Sequence, residues 1–125
     1  MAPALPVFQD LLAAAARIAG PAHVTPVLRS NTLDQMTGAQ LHFKAEHLQR
    51  VGAFTFRGAC NAVWSLDETT ARNGVVTHSS GNHGAALALA ARTRGLACHV
   101  VVPEGAVAAK VASIARYGAT LHACA

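Results

Sequence analysis

Apolar and polar positions along the chain alternate in two different rhythms, and the change between them divides it. Up to about residue 66 the pattern is mixed. Residues 7–19 recur at helical spacing, entered by Pro6 and stopped by Gly20-Pro21. Residues 21–28 hold Thr25-Pro26 and read as extended or turn. Residues 30–37 suit a short helix capped by Ser30 and ended by Gly38. Residues 40–46 alternate strictly, with Leu41, Phe43 and Ala45 on one face and His42, Lys44 and Glu46 on the other, which predicts a half-buried strand. After a polar loop ending at Gly52, residues 53–66 predict a helix with Phe54, Ala59, Val63 and Leu66 on its apolar face and Trp64 as an anchor. Residues 67–73 are polar and read as a crossover.

From Gly74 the rhythm becomes regular. Strands are expected at 74–78, 96–102 and 119–123, and helices at 82–94 and 107–117, closed by Gly95 and Gly118. Such a βαβαβ run predicts a parallel sheet of the α/β class, with ligands at the carboxyl ends of the strands. The division expected is residues 1–68 and 69–125.

The stretch Ser79-Ser80-Gly81-Asn82-His83-Gly84 falls at such a strand end, where a helix begins. A helix N-terminus offers unpartnered N–H groups and a partial positive charge, which suits a carboxylate or phosphate. Gly81 and Gly84 would let a ligand approach the backbone. The plainer reading of the same residues is a helix cap by Ser80 or Asn82.

Composition then narrows the classes. With 125 residues, 52% of them hydrophobic, the chain can bury a core. The formal charge of +4 comes from scattered residues, two Lys and eight Arg, so no nucleic-acid patch is expected. The longest apolar run is too short and is broken by Arg17, and the start lacks a basic leader. Neither anchor nor signal peptide is expected, and the cytoplasm is the compartment read. Cys60, Cys98 and Cys124 lack metal-ligand spacing and read as free thiols, the first two in the core. His42, His47, His78, His99 and His122 share no metal spacing either, so no metal site is expected.

Two segments are more specific together than either alone. The stretch from Lys44 to Ala59, holding Gly52-Ala53-Phe54-Thr55-Phe56-Arg57-Gly58-Ala59, and the stretch 79–84 resemble the two N-terminal signatures of the fold-type II pyridoxal-phosphate enzymes. They are most similar to serine racemase and the serine/threonine dehydratases. Thr25-Pro26-Val27-Leu28, Val101-Val102-Pro103-Glu104, Lys110 and Tyr117-Gly118-Ala119 extend the resemblance to roughly residues 22–123. It implies a three-layer unit of the tryptophan synthase β-like type, pyridoxal 5'-phosphate as cofactor, and a small amino acid as substrate. It also implies site residues: Ser80 as a racemase's second acid/base group, Ser79, Asn82 and His83 around the substrate carboxylate, and Phe54 and Asn82 at the cofactor.

This sequence departs from that pattern where the family reads Gly-Ser-Phe-Lys-x-Arg-Gly-Ala. Ala53 stands for the serine and Thr55 for the Schiff-base lysine. A hydroxyl forms no imine and is no amine base. Lys44 falls on the family's strand lysine and Lys110 on its second small-domain helix, so neither is expected to face the 79–84 turn. The resemblance also puts the glycine-rich phosphate cradle beyond residue 125. The expectation is therefore a truncated, inactive member of a lyase or isomerase family that self-associates through uncovered apolar edges. The alternatives are a non-catalytic homologue with a binding or interaction role, or a nucleotide-binding βαβ unit, whose G-x-G-x-x-G spacing is missing.

Overall fold

The computed structural model describes residues 5–125, and its elements follow the two rhythms of the sequence. Helices α1 (Phe8–Ile18), α2 (Asn31–Thr37) and α3 (Thr55–Ser65) belong to the first part, with the two-residue strands β1 (Val27–Leu28) and β2 (Phe43–Lys44). A one-turn helix α4 (Glu68–Ala71), capped by Asp67, leads into β3 (Val75–His78), α5 (Asn82–Arg94), β4 (Cys98–Pro103), α6 (Ala108–Arg116) and β5 (Thr120–Cys124). The three later strands lie in sequence order and both pairs are parallel. The α/β class and the βαβαβ unit are as the pattern predicts. No helix among the described residues is long and apolar enough to cross a membrane.

Helix α5 is the centre of the core. Residues from Gly84 to Ala91 along it are all buried. A helix apolar on every side must be covered on every side, and α5 lies among α3, α6 and the sheet. Small residues make this possible. A Cβ on Gly84 would sit 3.0 Å from Ile114 Cδ1, 3.2 Å from the Ser79 carbonyl oxygen and 3.3 Å from Val100 Cγ1. Gly84 therefore sets how closely α5 approaches the sheet and α6; its role is packing, where ligand approach was expected. The apolar cluster runs unbroken from Phe56, Ala59, Cys60 and Val63 of α3 through α5 to Cys98, Val100 and Val102 of β4.

Two expectations for the first part fail for identifiable reasons. The alternation over 40–46 yields only β2, whose two residues are exposed, because its antiparallel partner β1 is itself two residues long. Helix α3 starts at Thr55, since Ala53 is extended, and its buried face is Phe56, Ala59, Cys60 and Val63. Phe54 is 69% exposed and does not belong to the core face. Trp64 is half-buried and packs against the core edge.

Candidate functional site

The turn after β3 is built around one hydroxyl. Ser79 continues the sheet ladder by donating its N–H to the Val101 carbonyl at 3.0 Å. Its side-chain oxygen then accepts from the Gly81 N–H at 3.2 Å and from the Gly84 N–H at 3.1 Å. The cap is thus Ser79, whereas Ser80 or Asn82 was the expected cap; neither caps α5 with its side chain. With Ser79 closing the turn from inside, the backbone N–H groups of Ser80, Asn82 and His83 have no partner among the described residues. They lie at the positive end of a 13-residue helix. Ser80 is half-buried there, and Asn82 and His83 are exposed.

The loop before α3 meets the same place. Gln49 is buried and anchors this loop: its amide donates to the His23 carbonyl and its oxygen accepts from the His23 and Arg50 N–H groups, at 2.9–3.0 Å. Val51 then takes a left-handed conformation with φ 57°, an outlier for a β-branched residue of a kind that clusters at functional sites. Gly52 follows with φ 69°. The bend carries Val51 into a cleft of about 170 Å³ beside Gly81 and Asn82. Thr55, the first residue of α3, has a buried hydroxyl with no hydrogen-bond partner among the described residues.

Behind the loop an ion pair fixes its register. Arg57 holds Glu46 through two contacts, and Thr25 donates to the same carboxylate at 2.5 Å. The Arg57 guanidinium, with smaller help from Thr25 and Lys44, pulls the Glu46 carboxyl down to about 2. Lys44 is bound to the Thr25 carbonyl at 2.5 Å and so belongs to this framework. Lys110 does not fit its expectation: it lines the cleft with Gly81 and Asn82. That position depends on how α6 packs on α5, which no local spacing reports. Cys60, buried, has its thiol pushed up to about 11 by loss of solvent, as suits a packing residue. Among the described residues no three His, Cys, Asp or Glu side chains assemble into a metal group.

Of the residues singled out in the sequence, Ser79, Ser80, Asn82 and His83 share one turn, and Val51, four residues before Thr55, shares a cleft with Gly81 and Asn82. Phe54 turns out to solvent. A second, apolar cleft of about 270 Å³ between α3 and β3 has His83 on its lining, a juxtaposition the sequence pattern did not reveal.

Residues 18–125 match the family described as "Pyridoxal-phosphate dependent enzyme". The serine racemase of Dictyostelium discoideum is 50% identical over 116 residues, spanning 93% of this chain and 36% of the relative. Its crystal structure superposes with a TM-score of 0.90, covering 38% of that chain. The beta-hydroxyaspartate dehydratase of Paracoccus denitrificans is 48% identical, over 96% of this chain and 38% of its own. The crystal structure of maize serine racemase has a TM-score of 0.89 at 47% identity, over 92% of this chain and 35% of its own. The chain thus spans a little over a third of the length of these relatives.

Proposed function

The chain belongs to the pyridoxal-phosphate-dependent enzyme family, with the α/β architecture of its fold-type II branch, and from that premise we propose that its 79–84 turn binds the carboxylate of a small hydroxy-amino acid. The enzyme type is that of the serine/threonine dehydratases and serine racemases. The observation that carries this reading is the Ser79 hydroxyl, which takes up the Gly81 and Gly84 N–H groups and leaves those of Ser80, Asn82 and His83 without a partner among the described residues. Unpartnered N–H groups at a helix N-terminus suit a carboxylate. Asn82 lines the cleft beside Val51 and Lys110, and His83 lines the apolar cleft between α3 and β3. In this reading Ser80 is the acid/base hydroxyl of the site, and Phe54 and Asn82 belong to the cofactor side. Residues 1–68 and 69–125 are the corresponding parts of the larger and smaller domains, in a cytoplasmic enzyme.

The family's cofactor is pyridoxal phosphate, and the residues of this chain do not fit its covalent attachment. Thr55 stands where the resemblance puts the attaching lysine, and a buried, unpartnered hydroxyl there offers no amine. Lys44 is engaged with the Thr25 carbonyl. The same buried hydroxyl favours the second reading, that the chain as it stands is a non-catalytic homologue retaining the carboxylate turn.

Amide chemical-shift mapping tests the turn. Serine added to the labelled chain is expected to shift the amides of residues 80–84 more than any others, and serinamide, which has no carboxylate, is expected to leave them in place. Equal responses to the two compounds, or shifts scattered over the fold, would rule out the assignment.

A further inference from the structure

The face of the sheet turned away from α5 carries three histidines, and two of them meet. Across it the parallel register sets Val76, His99 and Thr120 in one row, and His78, Val101 and His122 in the next. Cys98, Val100 and Val102 point the other way, into the core. His99 Nδ1 and His122 Nε2 stand 3.0 Å apart, with ring centroids separated by 5.2 Å and planes inclined at 40°. His122 is exposed and His99 half-buried. Among the described residues neither ring has another hydrogen-bond partner.

We propose that His99 and His122 form a two-imidazole site for a late first-row divalent cation, of the copper, nickel or zinc class. It is independent of the carboxylate turn. Imidazole nitrogen binds such ions at about 2.0–2.1 Å, which puts two cis ligands of a square-planar or octahedral ion about 2.9 Å apart and two tetrahedral ligands about 3.3 Å apart. The 3.0 Å separation shows that the two nitrogens already lie within the span of one ion, and rotation of the rings sets the final angle. For binding, the ring that donates in the His–His hydrogen bond moves its proton to its other nitrogen, and both rings turn their freed lone pairs toward solvent. The neutral pair releases no net proton. No third His, Cys, Asp or Glu closes round it among the described residues, so water completes the coordination and the ion exchanges. Among the described residues β5 pairs with β4 alone, and the bound ion clips the two strands together.

A ligand that binds only the folded state raises its melting point by mass action. With nickel(II) or copper(II) in roughly hundredfold excess over the dissociation constant, the midpoint of the 125-residue chain is expected to rise by about 10 °C. His99→Asn and His122→Gln each abolish the rise, and His78→Asn, two strands from His122 in the same row, keeps it. Copper(II) electron paramagnetic resonance adds a readout that needs no cooperative melting: two imidazole nitrogens in the parent chain, and one or none in either variant. A two-nitrogen spectrum that survives both substitutions, or a parent spectrum identical to that of the free ion, overturns the proposal.

Discussion

Arg57 grips Glu46 with two parallel contacts, Nε to Oε2 at 2.8 Å and Nη2 to Oε1 at 2.7 Å, across eleven residues of chain. The pair joins the end of the β2 segment to the first turn of α3, and Thr25 and Lys44 tie the 21–28 segment to it. It therefore fixes the direction in which the Val51–Thr55 bend enters the helix.

The pair predicts how stability responds to acid. Glu46 titrates at about 2 in the folded chain, below its ordinary value of 4.5. A carboxyl depressed by folding stabilises fully above its unfolded value, and that stabilisation fades as pH falls through the folded value. The loss should thus develop between about pH 5 and pH 2. Partial solvent access to both side chains screens the pair, which limits its contribution to about 1–2 kcal/mol. Urea unfolding across that range is expected to show a shallower acid limb in Glu46→Gln than in the parent. An identical slope in both would mean that the pair contributes nothing.

Ser79→Ala removes the acceptor shared by Gly81 and Gly84. Loss of a side-chain cap costs about 1 kcal/mol, typically within 0.5–2 kcal/mol. The turn should also loosen, so the response of amides 80–84 to serine should weaken more than the loss of stability explains. Equilibrium unfolding and shift mapping on the same sample separate the two effects. Ser80→Ala is expected to leave stability nearly unchanged, since Ser80 makes no side-chain hydrogen bond among the described residues.

Two glycines in helices should respond in opposite directions. Gly84→Ala places a methyl 3.0 Å from Ile114 Cδ1 and 3.2 Å from a backbone oxygen, and overpacking of that kind costs about 1–3 kcal/mol. At Gly58 in α3 a Cβ meets nothing within 4 Å. Gly58→Ala should therefore gain up to about 1 kcal/mol from helix propensity and a less disordered unfolded chain. Thermal or urea denaturation of the two variants checks the pair, and a gain in Gly84→Ala would show that α5 can move away from the sheet.

These contrasts mark what local pattern can carry. The second half of the chain was legible because each strand and helix there is bounded by its own signal, such as the left-handed glycines Gly95 and Gly118. The turn 79–84 was legible for the same reason, since a strand end, two glycines and small polar side chains fall together. What was hidden depends on partners distant in sequence. Residues 40–46 alternate like a full strand, yet a strand extends only as far as its partner, and β1 offers two residues. Ser79 displaced the expected caps because its position inside the turn lets one oxygen reach two amides. Lys110 reaches the cleft, and His99 meets His122 across 23 residues, through helix packing and strand register alone.

The open sheet face predicts association. Val76 on β3 is 70% exposed, and Val101, opposite His78, lies one row further along the same face. Exposed apolar residues next to unpaired strand edges favour pairing with another copy. Multi-angle light scattering of the purified chain is expected to show dimers or larger species that increase with concentration, and Val76→Lys should shift the distribution toward monomer. A concentration-independent monomer with cooperative unfolding would count against this.

The last prediction concerns Thr55. Its hydroxyl is buried and unpartnered at the start of α3, in the place where the resemblance sets the lysine that attaches the cofactor. A buried hydroxyl without a partner costs free energy on the order of 1–3 kcal/mol, so the chain tolerates a local penalty at the position where the chemistry is expected to reside. Thr55→Val should relieve that penalty and leave stability unchanged or raised by up to about 1 kcal/mol, which unfolding measurements would detect. A threonine cannot hold the cofactor covalently, and the only two lysines are Lys44, bound to the Thr25 carbonyl, and Lys110, exposed at the cleft. Incubation with pyridoxal phosphate, reduction with borohydride and intact-mass measurement are therefore expected to give no stoichiometric adduct, and no dehydration or racemisation of serine or threonine. A one-cofactor mass increase mapping to Lys110 in the parent chain would place the amine on α6, at the rim of the Asn82 cleft, and would require the site to be redrawn around that residue.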